Sequence, residues 1–167
     1  MTKDELKEHI TQFQPKAVFE ETGEWLNVQV ETGDWKPVAH WLRNGVLQMD
    51  YLFCLTCIHW PTAGKTPAAG NTADEGSGGI FMMVYHFTST VFRHVLVVKV
   101  KLTSDHPEIE TVSDIWRTAE FHEREVFDLF GVRFLHHPDL RRLVLTDDFE
   151  GHPLRKDFED PVNMIKL

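Results

Sequence analysis

The first apolar rhythm along the chain is helical. Leu6, Ile10 and Phe13 recur at i, i+4 and i+7, which predicts a short amphipathic helix over residues 2–13, stopped before Pro15. Over residues 24–30 the period changes to two: Leu26, Val28 and Val30 alternate with polar neighbours, the pattern of a strand with one wet face. Asp34 then offers a cap for a second helix carrying Val38, Ala39, Trp41 and Leu42, which Asn44-Gly45 should end. Three longer runs, at 47–59, 80–88 and 91–102, are rich in β-branched and aromatic residues and read as strands. Only Ser89-Thr90 separates the last two, so a tight antiparallel hairpin is expected there. Residues 61–79, rich in Gly, Ala and Thr, have no period and little to bury, and predict a flexible surface loop. The longest helical pattern covers 112–130, with Thr111 or Ser113 as cap and Gly131 as terminator. The fold class that follows is α+β: a mostly antiparallel sheet with helices on one face, spanning residues 1–130.

That last helix breaks the usual pattern. On a helical wheel Trp116, Ala119, Phe127 and Phe130 share a stripe, and Glu120 and Glu123 fall in its middle. Phe121 and Leu129 point to other sides. A helix apolar on several sides needs cover on several sides. The two buried carboxylates need partners, and Arg124, Arg133, Arg141, Arg142 and Arg155 are expected to supply them by bidentate pairing. A general acid/base pair is the alternative. Beyond Gly131 the regular pattern ends. Residues 131–167 mix apolar residues with charge, Pro and Gly, too apolar for a solvated tail and too irregular for a second core. An extended C-terminal arm docking on a partner subunit is expected, anchored by Phe134, Leu143, Phe149, Leu154 and Phe158, with packing on its own domain as the alternative.

Charge narrows the partners. The net charge of -9 and the isoelectric point near 5.5 repel phosphate backbones and anionic headgroups, so no nucleic acid is expected and membrane association would run through other proteins. No apolar run approaches the ~20 residues that cross a bilayer. The two cysteines, Cys54 and Cys57, make no disulfide framework, and a reducing, cytoplasmic setting is expected.

One constellation is specific. Glu123-Arg124-Glu125, then Asp128, Leu129-Phe130, His137, Arg141 and Leu143-Val144 occur at fixed gaps. Trp116, Gly131-Val132-Arg133-Phe134, the run from His137 to Arg142, and the run Phe149-Glu150-Gly151-His152-Pro153-Leu154-Arg155-Lys156 accompany them. Over about residues 116–158 the chain resembles the thirty-kilodalton (C) subunit of respiratory complex I, the NADH:quinone oxidoreductase. The resemblance implies a structural and assembly role in that enzyme's peripheral arm, on the cytoplasmic side of the bacterial inner membrane. It implies docking on the forty-nine-kilodalton (D) subunit, which helps form the quinone pocket, and on other peripheral-arm subunits. FMN, iron–sulfur clusters and quinone would reside in those partners and none in this chain. The implied interface residues are Glu123, Arg124, Glu125, Asp128, His137, Arg141, Arg142, Phe149, Gly151, Pro153 and Arg155. No catalytic, cofactor or metal residue is expected. The corresponding subunit of a membrane-bound hydrogenase is the alternative.

Other motifs have plainer explanations. Cys54-Leu-Thr-Cys57 has redox or zinc spacing, with His59 and His86 as imaginable ligands, but residues three apart on a strand face opposite sides. Gly64-Lys65-Thr66 lacks the first glycine of a phosphate loop, since position 59 is His59. His122-Glu123 opens like a zinc-protease helix, yet Val126 stands where the second histidine belongs. His136, His137 and His152 suit turns or an interface better than a metal. A stand-alone thiol or metal enzyme is the least favoured reading.

Overall fold

The computed structural model describes residues 1–20, 23–61, 79–103 and 106–159. The loop expected over 61–79 lies, apart from its two end residues, outside the described residues, as does the end of the arm from 160 on.

Helix α1 (Lys3–Phe13) starts where its sequence says it should. The Thr2 hydroxyl accepts from the Glu5 amide at 3.3 Å and the Glu5 carboxylate accepts from the Thr2 amide at 2.9 Å, a reciprocal cap. Leu6 and Ile10 enter the core, while Phe13 stays at the surface and stacks on Trp41 with centroids 4.6 Å apart. A three-residue strand β1 (Val18–Glu20) pairs antiparallel with β2 (Leu26–Val30). Strand β1 is too short to show a period in the sequence. A 3-10 turn (Thr32–Asp34) runs directly into α2 (Trp35–Asn44). Asp34 therefore makes no cap; its carboxylate accepts instead from the Gln14 side chain at 2.5 Å.

Strands β3 (Tyr51–Pro61), β4 (Gly79–Thr88) and β5 (Val95–Thr103) follow in antiparallel succession. The β4–β5 connection is longer than expected. It closes with the Ser89 amide on the His94 carbonyl at 3.1 Å, and Arg93 takes a left-handed φ of 55°. The Asp50 carboxylate fixes this turn by accepting from the Thr90 amide at 2.8 Å and from the Thr90 hydroxyl. Those two bonds hold Asp50 below the usual carboxylate range.

Among the described residues the sheet order is β1-β2-β5-β4-β3. Three of its pairings are antiparallel and one, β2 on β5, is parallel, with Leu26 opposite Leu96 and Val30 opposite Val100. The inner face presents Leu26, Val28, Val30, Leu96, Val98, Val100, Phe81, Met83, Tyr85, Phe87, Leu52 and Leu55 to one core. Helices α1 and α2 contribute Leu6 and Ile10, then Val38, Ala39 and Leu42, to that same core. Trp35 against Tyr85 at 4.2 Å and Phe87 against Trp116 at 4.6 Å fill its centre.

Helix α3 is Ala119–Phe130, seven residues shorter at its start than the apolar pattern implies, and adds Ala119, Val126 and Phe130 to the core. Residues 112–118 form turns whose side chains are tied to other parts of the domain. The Thr111 hydroxyl donates to Glu123, Trp116 Nε1 donates to the Met49 carbonyl at 2.8 Å, and the Thr118 hydroxyl donates to the Leu52 carbonyl at 2.8 Å. Gly131 ends the helix at φ 76°, its amide on the Phe127 carbonyl at 2.9 Å. On either side of α3 in the chain, β6 (Glu108–Glu110) and β7 (Arg133–Leu135) pair in parallel. This corrects one expected anchor: Phe134 is 2% exposed and belongs to the domain's own core, as does Val132. The core continues past 130 because two-strand pairing pins residues 133–135 against the domain. Among the described residues no helix is long and apolar enough to cross a membrane.

Candidate functional site

Helix α3 touches the trailing segment at successive turns. The Glu120 carbonyl faces His137, Arg124 faces Arg141 and Arg142, Asp128 faces residues 143–145 and His152, and the Leu129 carbonyl accepts from the Leu154 amide. Residues 137–154 thus run alongside the helix in the same direction as its axis.

Glu123 sits at the start of this arrangement and is completely buried. Its carboxylate accepts from the Val112 amide at 2.8 Å and from the Thr111 hydroxyl. The expected arginine partner is not there; a basic ring, His137, is 3.9 Å away. Burial lifts the Glu123 carboxyl to about 7, against the pull of its two hydrogen bonds. His137 spends both ring nitrogens within the chain, Nε2 on the Glu120 carbonyl at 3.1 Å and Nδ1 as acceptor for the Asp139 amide at 3.1 Å. Glu120, expected beside Glu123 as a possible second acid, is only half-buried.

Arg124 is 8% exposed and Asp128 is 1% exposed. The Arg124 guanidinium donates to the carbonyls of Arg141 at 3.2 Å and Arg142 at 3.1 Å, and lies 5.9 Å from the centre of the Phe121 ring. One oxygen of Asp128 accepts the amides of Leu143, Val144 and Leu145 at 3.0, 2.8 and 2.9 Å. Three successive amides converging on one oxygen form an anion nest. Burial works to raise the Asp128 pKa, but the three amides and Arg142, 3.8 Å from the other oxygen, outweigh it and hold the carboxyl below its usual range.

Of the remaining expected residues, Glu125 lies on α3 and the others on the trailing segment. Glu125 is exposed, and Arg141 is exposed with its Nε on Asp139 at 2.9 Å. Phe149 stacks with Phe158 at 6.0 Å, and Gly151 turns the chain beside that ring at φ 89°. His152 Nδ1 bonds the Asp128 carbonyl at 2.9 Å, and burial holds His152 below the ordinary imidazole value. Pro153 is half-buried in the turn that follows. Arg155 bonds Asp157 at 3.2 Å and stands 5.1 Å from the Phe81 ring. The Lys156 amide then lands on His59 Nδ1 at 3.1 Å, which fastens the segment to β3. Sequence reasoning missed His59, Thr111 and Val112 in these roles. The only available sign is that His59 occupies a core-facing position of an alternating strand.

Cys57 is buried on the inner face and its thiol is pushed up to about 12 by burial; Cys54 lies on the other face, paired in register with His86. Among the described residues no group of three or more His, Cys, Asp or Glu is disposed to hold a metal ion. The surface hollows along α1 and between α1 and α2 include no residue of the signature.

Residues 28–162 match the sequence profile of the respiratory-chain NADH dehydrogenase 30 kDa subunit. The chain belongs to that family. It is 38% identical over 141 residues to the NADH-quinone oxidoreductase C subunit of Trichlorobacter lovleyi, covering 84% of this chain and 78% of that one. It is 42% identical over 127 residues to the NADH-quinone oxidoreductase C/D subunit of Phocaeicola vulgatus, covering 75% of this chain and 21% of that protein. The match therefore spans about a fifth of the length of such C/D relatives. Among solved structures, the trypsin-resistant fragment (1-134) of Nqo5 superimposes with a TM-score of 0.60 at 24% identity, over 83% of this chain and all of that one, a likeness of fold. A chain of the membrane-bound sulfane sulfur reductase, an archaeal respiratory membrane complex, superimposes with a TM-score of 0.63 at 25% identity, over 93% of this chain and 85% of that chain. In this member of the NADH dehydrogenase subunit family, the signature residues Glu123, Arg124 and Asp128 are internal groups that shape α3 and fasten the segments beside it.

Proposed function

We propose that this chain is a non-catalytic assembly subunit of the peripheral arm of an NADH:quinone oxidoreductase. In that role it positions the quinone-site (D) subunit, and electrons pass from NADH through FMN and iron–sulfur clusters to quinone inside the partners. The chain itself holds no cofactor and has no active site. It sits on the cytoplasmic side of the inner membrane and is held there by neighbouring subunits.

The observation that carries this reading is the family match joined to the chemistry of the signature residues. Glu123 and Arg124 are engaged in hydrogen bonds to this chain's own backbone or side chains, and Asp128 holds three backbone amides on one of its two oxygens. Glu123 and Asp128 are also 0% and 1% exposed, so a substrate has no access to either carboxyl, and both serve to shape the segment beside α3. The C/D naming of relatives supports the D subunit as the neighbour.

Co-expression with the D subunit from the same organism tests the proposal. The expected result is a stable complex on size exclusion and a loss of assembled oxidoreductase when this chain is deleted. A monodisperse chain that ignores the D subunit would overturn it. A second reading, service in a related membrane-bound respiratory complex, has the sulfane sulfur reductase likeness behind it. Co-purified flavin- and NADH-binding subunits favour the first reading; a metal-site large subunit without them favours the second.

A further inference from the structure

One buried ring ties the end of the trailing segment to β3. His59 is 1% exposed, and its Nδ1 accepts the Lys156 amide at 3.1 Å. An amide can only donate, so this contact requires a bare Nδ1, and the neutral ring carries its proton on Nε2. The ring is confined on two sides. It stacks on Phe81 with centroids 4.4 Å apart, and a Cβ on Gly79 would stand 2.5 Å from Nε2. Nε2 itself has no hydrogen-bond partner among the described residues.

A second acceptor stands beside the same nitrogen. Asp157 Oδ1 lies 3.7 Å from His59 Nδ1, beyond hydrogen-bond reach, and is taken by Arg155 Nε at 3.2 Å. A proton arriving on Nδ1 from solvent turns that acceptor into a donor. It sets one N–H against the Lys156 N–H and offers the Asp157 carboxylate a charged partner. The neighbouring bonds of the segment respond differently. His152 Nδ1 faces the Asp128 carbonyl at 2.9 Å, so it already donates and goes on donating as an imidazolium. The Leu154 amide on the Leu129 carbonyl involves no titrating group.

We propose that His59 is a proton-operated latch: protonated at Nδ1, it exchanges the Lys156 amide for the Asp157 carboxylate, and the backbone at Lys156 lets go of β3 while residues 152–154 stay on α3. The Phe158 amide is tied to the Arg155 carbonyl at 3.2 Å, so the turn at 155–158 moves as one piece. Burial holds the His59 ring below the ordinary imidazole value; Asp157 draws it back up and Arg155 pushes it down. Among the described residues β4 adds Phe81 and Gly79, neither of them charged, and β3 adds Cys57, whose thiol burial pushes up to about 12 and so keeps neutral. A ring whose folded value lies below its unfolded one favours the fold above the unfolded value and loses that contribution as pH falls through the folded one. The latch is therefore closed at neutral pH and opens in acid. This behaviour belongs to the chain itself and stands whether or not the proposed function does.

Hydrogen exchange of the full chain, read amide by amide and corrected for intrinsic rates, tests the latch. Between about pH 7.5 and about pH 5 the protection of the Lys156 amide should fall at least about fivefold relative to that of the Leu154 amide. In His59→Asn the side-chain oxygen stands near the place of Nδ1 and accepts at every pH, so the Lys156 amide should keep its protection across the range. Asp157→Asn removes the carboxylate that favours the charged ring and should move the loss to lower pH. Nitrogen NMR of the imidazoles should find His59 protonated on Nε2 alone at neutral pH. A ratio of Lys156 to Leu154 protection that does not change with pH, a fall of the same size in a folded His59→Asn chain, or a proton on Nδ1 at neutral pH would overturn the inference. Where His59→Asn does not fold, Asp157→Asn decides: a loss at the same pH as in the unaltered chain overturns it as well.

Discussion

Arg124 and Asp128 stand one helical turn apart and hold one five-residue run of backbone by its two kinds of polar group. Arg124 donates to the carbonyls of residues 141 and 142, and Asp128 accepts the amides of 143, 144 and 145. The i, i+4 spacing places both on the same side of the helix. A segment with no regular structure of its own thereby acquires the fixed course that a sheet or helix would otherwise provide.

Replacing Asp128 by alanine removes a shared charged acceptor from three amides. The loop can open to water, which limits the cost, so a loss of about 2 kcal/mol is expected in chemical denaturation. The acid limb should change as well. Asp128 is held below the ordinary carboxylate value, so its contribution is present above about pH 3.8 and is lost as pH falls through its folded pKa. The alanine variant should lack that part of the acid-induced loss, as a pH series of denaturation midpoints would reveal.

Glu123 predicts the opposite slope. Burial raises its carboxyl from 4.5 to about 7, so between those values the folded chain keeps a proton the unfolded chain has released. Its contribution is full below about pH 4.5 and declines as pH rises toward 7, by roughly 3 kcal/mol at most. Glu123→Gln keeps the shape without the titration. The variant should gain on the unaltered chain as pH rises from about 5 to about 8; a constant difference across that range would refute the buried-acid account.

Gly131 joins α3 to the segment through a left-handed turn, and a Cβ there would stand 2.6 Å from His152 Nε2. Gly131→Ala should cost roughly 1–2 kcal/mol from backbone strain alone, with the clash added. In a His152→Ala background the clash disappears and only the strain remains. A double-mutant cycle by thermal melting should therefore return a favourable coupling.

The two thiols should separate kinetically. A thiol reacts as thiolate, and burial pushes Cys57 up to about 12 while it is covered on the core face. Cys54 is half-buried on the other face. A disulfide reagent at about pH 8 should label Cys54 at least about tenfold faster, with Cys57 reacting only on unfolding. Mass spectrometry of a Cys54→Ser variant checks this.

Where a strand has one wet face, the alternation of Leu26, Val28 and Val30 reveals it, and the buried position of Glu123 follows from its place in an apolar stripe. What stays hidden are features set by distant contacts. Nothing local marks Val18-Phe19-Glu20 as a strand, or says that β2 lies parallel to β5. The start of α3 cannot be placed locally because Thr111 looks like a cap, and its hydroxyl, which accepts the Ser113 amide, donates to a carboxylate twelve residues on. The same bond supplies Glu123 with a neutral partner where a local reading offers only arginines. In the trailing segment, apolar content alone does not separate Phe134, which is buried, from Leu143 and Val144, which are not.

The parallel contact between β2 and β5 joins residues 26–30 to residues 96–100. During synthesis the first helices and β2 leave the ribosome early, but the strand that β2 must lie beside emerges only after some seventy further residues. Until then Leu6, Ile10 and Trp35 have no sheet to cover, while β3, β4 and β5 can pair with their sequence neighbours as they appear. Closing this sheet therefore waits on its longest-range pairing, and the apolar faces of α1 and α2 stay partly uncovered until β5 is made.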